Sequence, residues 1–89
     1  MTFWWDDVNI EHIARHGIEL EEAEDALTDP QRLHFQAHRG PRGERRSAVL
    51  GKTESGRILF VVITKRKTSF RVVTAREASS NEKRFYRRG

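Results

Sequence analysis

Four arginines, Arg46, Arg66, Arg71 and Arg76, stand in or beside stretches whose apolar pattern predicts β-strands. A guanidinium carried on a strand is fixed in height and angle, and its planar fork matches phosphate oxygens two at a time. Donors aimed at developing negative charge lower a barrier by about 3–4 kcal/mol each in the best oxyanion sites. The chemistry such a set suits is displacement at a phosphodiester. RNA cleavage needs no cofactor to supply a nucleophile: a base takes the 2′-OH proton, cations stabilise the crowded phosphorane, and an acid protonates the departing 5′-oxygen. Arginine fills the middle role. For proton movement the sequence offers Lys65 and Lys67, whose ammonium form is disfavoured by neighbouring arginines. It also offers Glu44, a lone carboxylate in a basic segment, His38 in a loop, and Tyr86, whose phenol can donate. Each has an ordinary use as well, as turn, loop, salt-bridge or core residue. Solvated charge on edge strands is the commoner explanation of any single arginine. Only the clustering favours a site.

The distribution of charge supports that reading. Residues 1–30 hold nine carboxylates against one arginine, and residues 31–89 hold sixteen Lys/Arg against four acids, about −8 followed by +12, for the net of +4. So steep a split points to a polyanion on the basic side. Arg45, Lys67, Lys83, Arg84 and Arg87 extend that surface as candidate RNA-binding residues. Phe3, Trp4 and Trp5 could stack on bases, although a domain of this size needs one or two of them in its core. The acidic second half of the N-terminal segment reads mainly as a solvated helix face. With no cysteine there is neither disulfide nor thiolate chemistry. His12 and His16 have the spacing of a helical ligand pair, but nothing with ligand spacing accompanies them, so neither metal nor cofactor is expected. His16, just before Gly17, is explained by a helix C-terminus. The longest apolar run, 58–63, is a strand rather than a membrane span, and the N-terminus lacks a signal-peptide pattern. A cytoplasmic location without a membrane partner is the expectation.

The elements that must position these residues can be read from periodicity. Residues 2–5 form a short aromatic edge strand or a cap over the core. Asp6 caps a helix with Val8, Ile10, Ile13 and Ala14 at helical spacing, and Gly17 stops it. Leu20, Ala23 and Leu27 mark a second amphipathic helix, ended by Asp29-Pro30. A weak strand at 32–35 and a Gly/Pro loop follow, then strands at 46–50, closed by Gly51, at 57–65 and at 69–75. A two-residue turn at Lys67-Thr68 places Thr64 opposite Arg71. Strict alternation then puts Arg66, Arg71, Val73 and Ala75 on one face with Phe60 and Val62. Leu59, Val61, Ile63, Phe70 and Val72 lie on the other, the better core. A basic helix at about 78–87, capped by Ser79 or Ser80, completes one domain spanning 1–89. The expected class is α+β: two N-terminal helices, an antiparallel meander of three or four strands, and a C-terminal helix, all helices on one face and the other face at least partly open.

These residues in this order resemble a known family. Trp5-Asp6, Arg15-His16-Gly17, the Glu-rich helix with Asp29-Pro30, Glu44 with Arg45-Arg46, Gly51, Gly56-Arg57, Val61-Val62, Thr64 with Arg66, Thr74-Ala75-Arg76, and Glu82 with Tyr86 look like the BrnT toxins. The chain resembles a divergent member, with Arg15 in place of a lysine before His-Gly and Glu19 where a Ser/Thr cap is usual. The resemblance implies a RelE/ParE-type fold and a ribonuclease activity that needs no metal and arrests translation and growth. It also implies a small cognate antitoxin that neutralises the toxin, in a complex that binds promoter DNA. Arg46, Arg66, Arg71, Arg76, Glu82 and Tyr86 fall on its motif positions. Two other readings stay open: a non-catalytic nucleic-acid or protein binding module of this fold, and a ParE-like inhibitor of a DNA enzyme. Neither RNA target nor oligomeric state is legible.

Overall fold

Five strands form one sheet in the computed structural model, which describes residues 2–89: β1 (Thr2–Trp4), β2 (Leu33–Gln36), β3 (Arg46–Lys52), β4 (Ile58–Arg66) and β5 (Ser69–Glu77). Helices α1 (Asp7–Ala14) and α2 (Leu20–Thr28) separate β1 from β2, and α3 (Ser80–Arg88) ends the chain. The spatial order is β1-β5-β4-β3-β2. Strands β2 to β5 are the antiparallel meander, with Thr64 opposite Arg71 as expected. The sheet is nevertheless mixed and five-stranded, because β1 adds to its edge parallel to β5 through Thr2↔Ser69 and Trp4↔Arg71. Three residues are too few for periodicity to separate a strand from a cap.

Helix α1 starts and stops where its chemistry dictates. The Asp6 carboxylate accepts the Asn9 N–H at 2.9 Å and the Asn9 side chain accepts the Asp6 N–H at 2.8 Å, a reciprocal cap. Gly17 takes φ 73°, and the next residue's N–H closes back onto the Ile13 carbonyl at 3.1 Å. Its inner face differs from the expected one: Val8 and Ile10 are exposed, whereas Asn9 and Ile13 are buried. Asn9 is tolerated there because its amide donates to the Trp4 and Val72 carbonyls at 3.0 and 3.2 Å, tying the helix to both strands of that edge.

The main core lies between α1, α2 and one face of the sheet, where Ile13, Ile18, Ala23 and Leu27 pack on Val49, Leu59, Val61, Ile63 and Val72. Ala75 belongs to this core too, contrary to strict alternation. The register shifts between Val62 and Ile63: Val62 faces Thr74 but Ile63 faces Val72, so β5 carries Val73 as one extra residue. Beyond the bulge the faces of β5 exchange, sending Ala75 inward and Thr74 and Arg76 to the second face. The placement of α3 corrects another expectation. It covers one end of that second face, where Tyr86 and Ala78 close over Leu50 and Ile58. Apolar side chains at that end cannot be left in water, so the helices lie on both faces and only the other end stays open.

Gly51 does not close β3, which runs through it to Lys52. A Cβ there would stand 2.0 Å from the carbonyl oxygen of Ala26, backbone that cannot swing aside. Gly51→Ala is therefore expected to lower the unfolding free energy by about 3 kcal/mol through forced separation of α2 from the sheet. Gly17→Ala meets open space but a left-handed backbone, and is expected to cost about 1–2 kcal/mol. Urea unfolding of the two variants beside the wild type measures both losses, and their order tests the packing argument.

Candidate active site

Sheet register arranges the open face in rows. Trp4 lies beside Arg71, Arg71 opposite Thr64, and Thr64 opposite Arg46, so one row crosses β1, β5, β4 and β3. At a strand spacing of about 4.8 Å, the backbones of Arg46 and Arg71 stand roughly 10 Å apart with a small side chain between them. Arg46 and Arg71 therefore flank Thr64 in this row, one on each neighbouring strand. Thr64 itself is buried, and its hydroxyl donates to the Arg45 carbonyl at 2.8 Å, fixing the start of β3. Arg66 is one step further, opposite Ser69 at the hairpin. Arg76, opposite Phe60, is displaced the other way by about 13 Å along the strands. The four arginines expected to form one cluster are therefore a pair, a near neighbour and an outlier.

Each of the paired arginines is oriented by a carboxylate. Arg71 Nη1 donates to Asp6 Oδ2 at 2.8 Å, and its guanidinium carbon lies 4.8 Å from the Trp4 ring centroid. Arg46 Nη2 donates to Glu44 Oε1 at 3.0 Å, while Glu44 Oε2 accepts the Arg42 N–H at 3.2 Å. The carboxylate of Glu44 occupies the space above Gly40, where a Cβ would stand 1.8 Å from Oε1. Glu44 and Arg46 can pack against the loop at residue 40 because it has no side chain. Both acids are held below the usual carboxylate range, Asp6 by the Asn9 N–H and then by Arg71, and Glu44 by its own backbone N–H and then by Arg46. A guanidinium has five N–H groups, so one carboxylate leaves donors for a ligand. Arg46 Nε is buried without a partner, which costs about 1–3 kcal/mol in general.

Arg76 is used differently. It makes two bonds to Glu82, at 2.7 and 2.9 Å, and lies 4.3 Å from the Phe60 ring centroid. Glu82 also accepts the Ser79 N–H in the cap of α3, so this arginine fastens the last helix to β5. Tyr86 is on the buried side of α3, its hydroxyl donating to Asp29 Oδ2; burial and then Asp29 push its phenol up to about 12. Lys65 is paired with Phe70 and alternates to the face that carries α1 and α2, away from Arg71. Lys67 is at the hairpin tip with φ 51°. Lys83 bonds Glu77 at 2.9 Å and Arg84 bonds Asn81. Arg45 is exposed beside β2, and Arg87 is exposed on α3.

The structure thus places Arg46 and Arg71 in one row, Glu44 on Arg46, and Arg66 with Arg71 beside the Trp4 ring. It adds residues the sequence did not single out for this place. Asp6 was legible only as a helix cap, and nothing in a linear pattern couples it to Arg71, 65 positions away. His38, already a candidate for proton movement, lines with Gln36 and Arg46 a groove of about 650 Å³ that also takes in Phe35, Ala48, Phe60 and Val62. The acidic segment is largely engaged within the fold: Glu22 pairs with Arg57 at 2.8 Å, Glu24 accepts from the Trp5 indole at 2.7 Å, and Asp25 accepts the Glu54 N–H at 3.1 Å.

A small α+β domain with oriented cations and a carboxylate on an open sheet face is suited to act on a phosphodiester polymer. Residues 4–82 match the family described as ribonuclease toxin, BrnT, of type II toxin-antitoxin system. The chain belongs to that family, as its motifs suggest. No curated protein matches it. No helix among the described residues is long and apolar enough to cross a membrane.

The Arg76–Glu82 bridge has a pH signature. Arg76 first, with help from the Ser79 cap, lowers the Glu82 carboxyl from 4.5 to about 2, against its burial. A lowered folded-state value stabilises above the unfolded value and is lost as pH falls through the folded one. Glu82→Gln is expected to lower stability by about 1–2 kcal/mol at pH 7. The gap between variant and wild type should close between about pH 4.5 and pH 2. Denaturant titrations across that range check the sign, and a gap constant with pH would remove the bridge from the explanation.

Proposed function

We propose that this protein cleaves RNA on its open sheet face, without a metal ion, by attack of the substrate's own 2′-OH. The observation that carries this is the row Arg71–Thr64–Arg46, which sets two arginines on the strands flanking one small side chain of the open face. Arg46 and Arg71 bind the scissile phosphate and stabilise the charge that grows on the phosphorane. Asp6 and Glu44 preset the two forks, so little reorganisation accompanies the reaction. Glu44, held ionised, accepts the 2′-OH proton, and His38 at the same mouth delivers one to the departing 5′-oxygen. Arg66 contacts the neighbouring backbone, and Arg45, Lys67, Lys83, Arg84 and Arg87 draw RNA in through longer-range charge. A nuclease of this kind acts in the cytoplasm and requires a cognate antitoxin there, whose binding over the open face would silence it.

A non-catalytic binding module is supported by one feature, the carboxylate already paired with each of Arg46 and Arg71. Incubation of purified protein with total RNA in EDTA separates the two. Cleavage leaving 2′,3′-cyclic ends is expected, and intact RNA at micromolar protein would reject the nuclease reading. Arg71→Lys, which keeps the charge and loses the fork, should lower the single-turnover rate by about 10²–10³ with folding unchanged. Glu44→Gln should lower it by about 10²–10⁴ while RNA is still bound. Wild-type rates for Glu44→Gln would exclude that carboxylate as the base.

A further inference from the structure

Three aromatic residues open the chain, and they do not share a fate. Phe3 and Trp5 pack against the main core, and the Trp5 indole N–H is engaged by Glu24. Trp4, between them, turns to the open face and remains 45% exposed. A side chain this large gains a great deal from burial, so leaving it in water on a three-residue edge strand calls for a reason. Its surroundings supply one. Arg71 is its cross-strand neighbour, one strand spacing away at about 4.8 Å. Guanidinium carbons of Arg71 and Arg66 lie 4.8 and 5.9 Å from its ring centroid. Beside the ring is an open cleft of about 430 Å³ formed with Arg66, Lys67, Thr68 and Ser69. An aromatic face next to cations on a sheet edge is the arrangement that takes one nucleotide, base on the ring and phosphate on the guanidinium.

We infer that Trp4 is a stacking platform for an unpaired nucleobase of the RNA, one nucleotide from the phosphate held by Arg71 and Arg46. This rests on the nuclease reading and adds to it a subsite for single-stranded substrate. Arg66 is exposed, so it can yield the ring face to a base and turn to the adjoining phosphate. Every base has a π-face, so the subsite selects for an unstacked base rather than for a sequence. Base-paired RNA cannot use it. The platform therefore directs cleavage to loops and single strands.

Binding of a short, fluorescently labelled, fully 2′-O-methylated single-stranded RNA tests this, because the ligand cannot be cut. Trp4→Ala is expected to weaken binding about 5- to 100-fold with an unchanged melting temperature, and Trp4→Phe to retain most of the affinity. An abasic site moved along the ligand should weaken wild-type binding at one position, and at that position cause no further loss in Trp4→Ala. Wild-type affinity in Trp4→Ala, or a loss that ignores the abasic position, overturns the platform. If Arg71→Ala still abolishes binding in that case, the phosphate site stands and the platform alone fails. If the wild type does not bind the RNA, both fail together.

Discussion

One extra residue in β5 decides which side chains meet on each face of this sheet. Without the bulge at Val73, strict alternation would drive Arg76 and Thr74 into the core beneath α1 and α2 and turn Ala75 outward. With it, Val72 and Ala75 both pack inside, while Arg71, Thr74 and Arg76 share the second face. Burying a guanidinium without a partner costs far more than a bulge does. The irregular register is therefore what allows the same strand to fill a core and to carry arginines at both its ends.

A second constraint gathers at Asp6. Its backbone and carboxylate form the reciprocal cap with Asn9, Asn9 binds carbonyls of β1 and β5, and the remaining carboxylate oxygen holds Arg71. Helix start, edge-strand docking and site geometry thus pass through one short segment. The parallel pairing of β1 is part of the same unit, since it sets Trp4 beside Arg71. Loss of the cap would loosen the site as well as the helix, because the groups share atoms.

The charge split also takes on a different meaning in three dimensions. Carboxylates from the acidic segment reach into the basic part, Asp6 to Arg71 and Glu22 to Arg57. Partly buried pairs of this kind do more than add charge attraction. Their effect is to hold each guanidinium in one orientation, and Arg57 is fixed further by Glu77 and the Gly17 carbonyl. Arg76 shows the other outcome, a fork closed on both prongs by Glu82 and committed to docking α3.

Much of this was legible in order along the chain. Helix starts and stops at Asp6, Gly17 and Pro30, the hairpin at Lys67-Thr68 and the core set on β4 follow from local propensity and period, which act over a few residues. The Glu44, Arg46 and Arg71 candidates were legible as residue types, as were the motifs that place the chain in its family. Alternation failed at Val73 because a bulge carries no marker when the inserted residue is an ordinary valine. The order of elements did not reveal the side taken by α3, which depends on the apolar end left by Leu50 and Ile58. Only the tertiary structure decided which side chains orient the arginines, since that rests on pairings between residues as distant as Asp6 and Arg71. Local sequence determines elements because their hydrogen bonds close within a turn or a strand. A site is made of side chains from several strands, and their distances are set by register and packing.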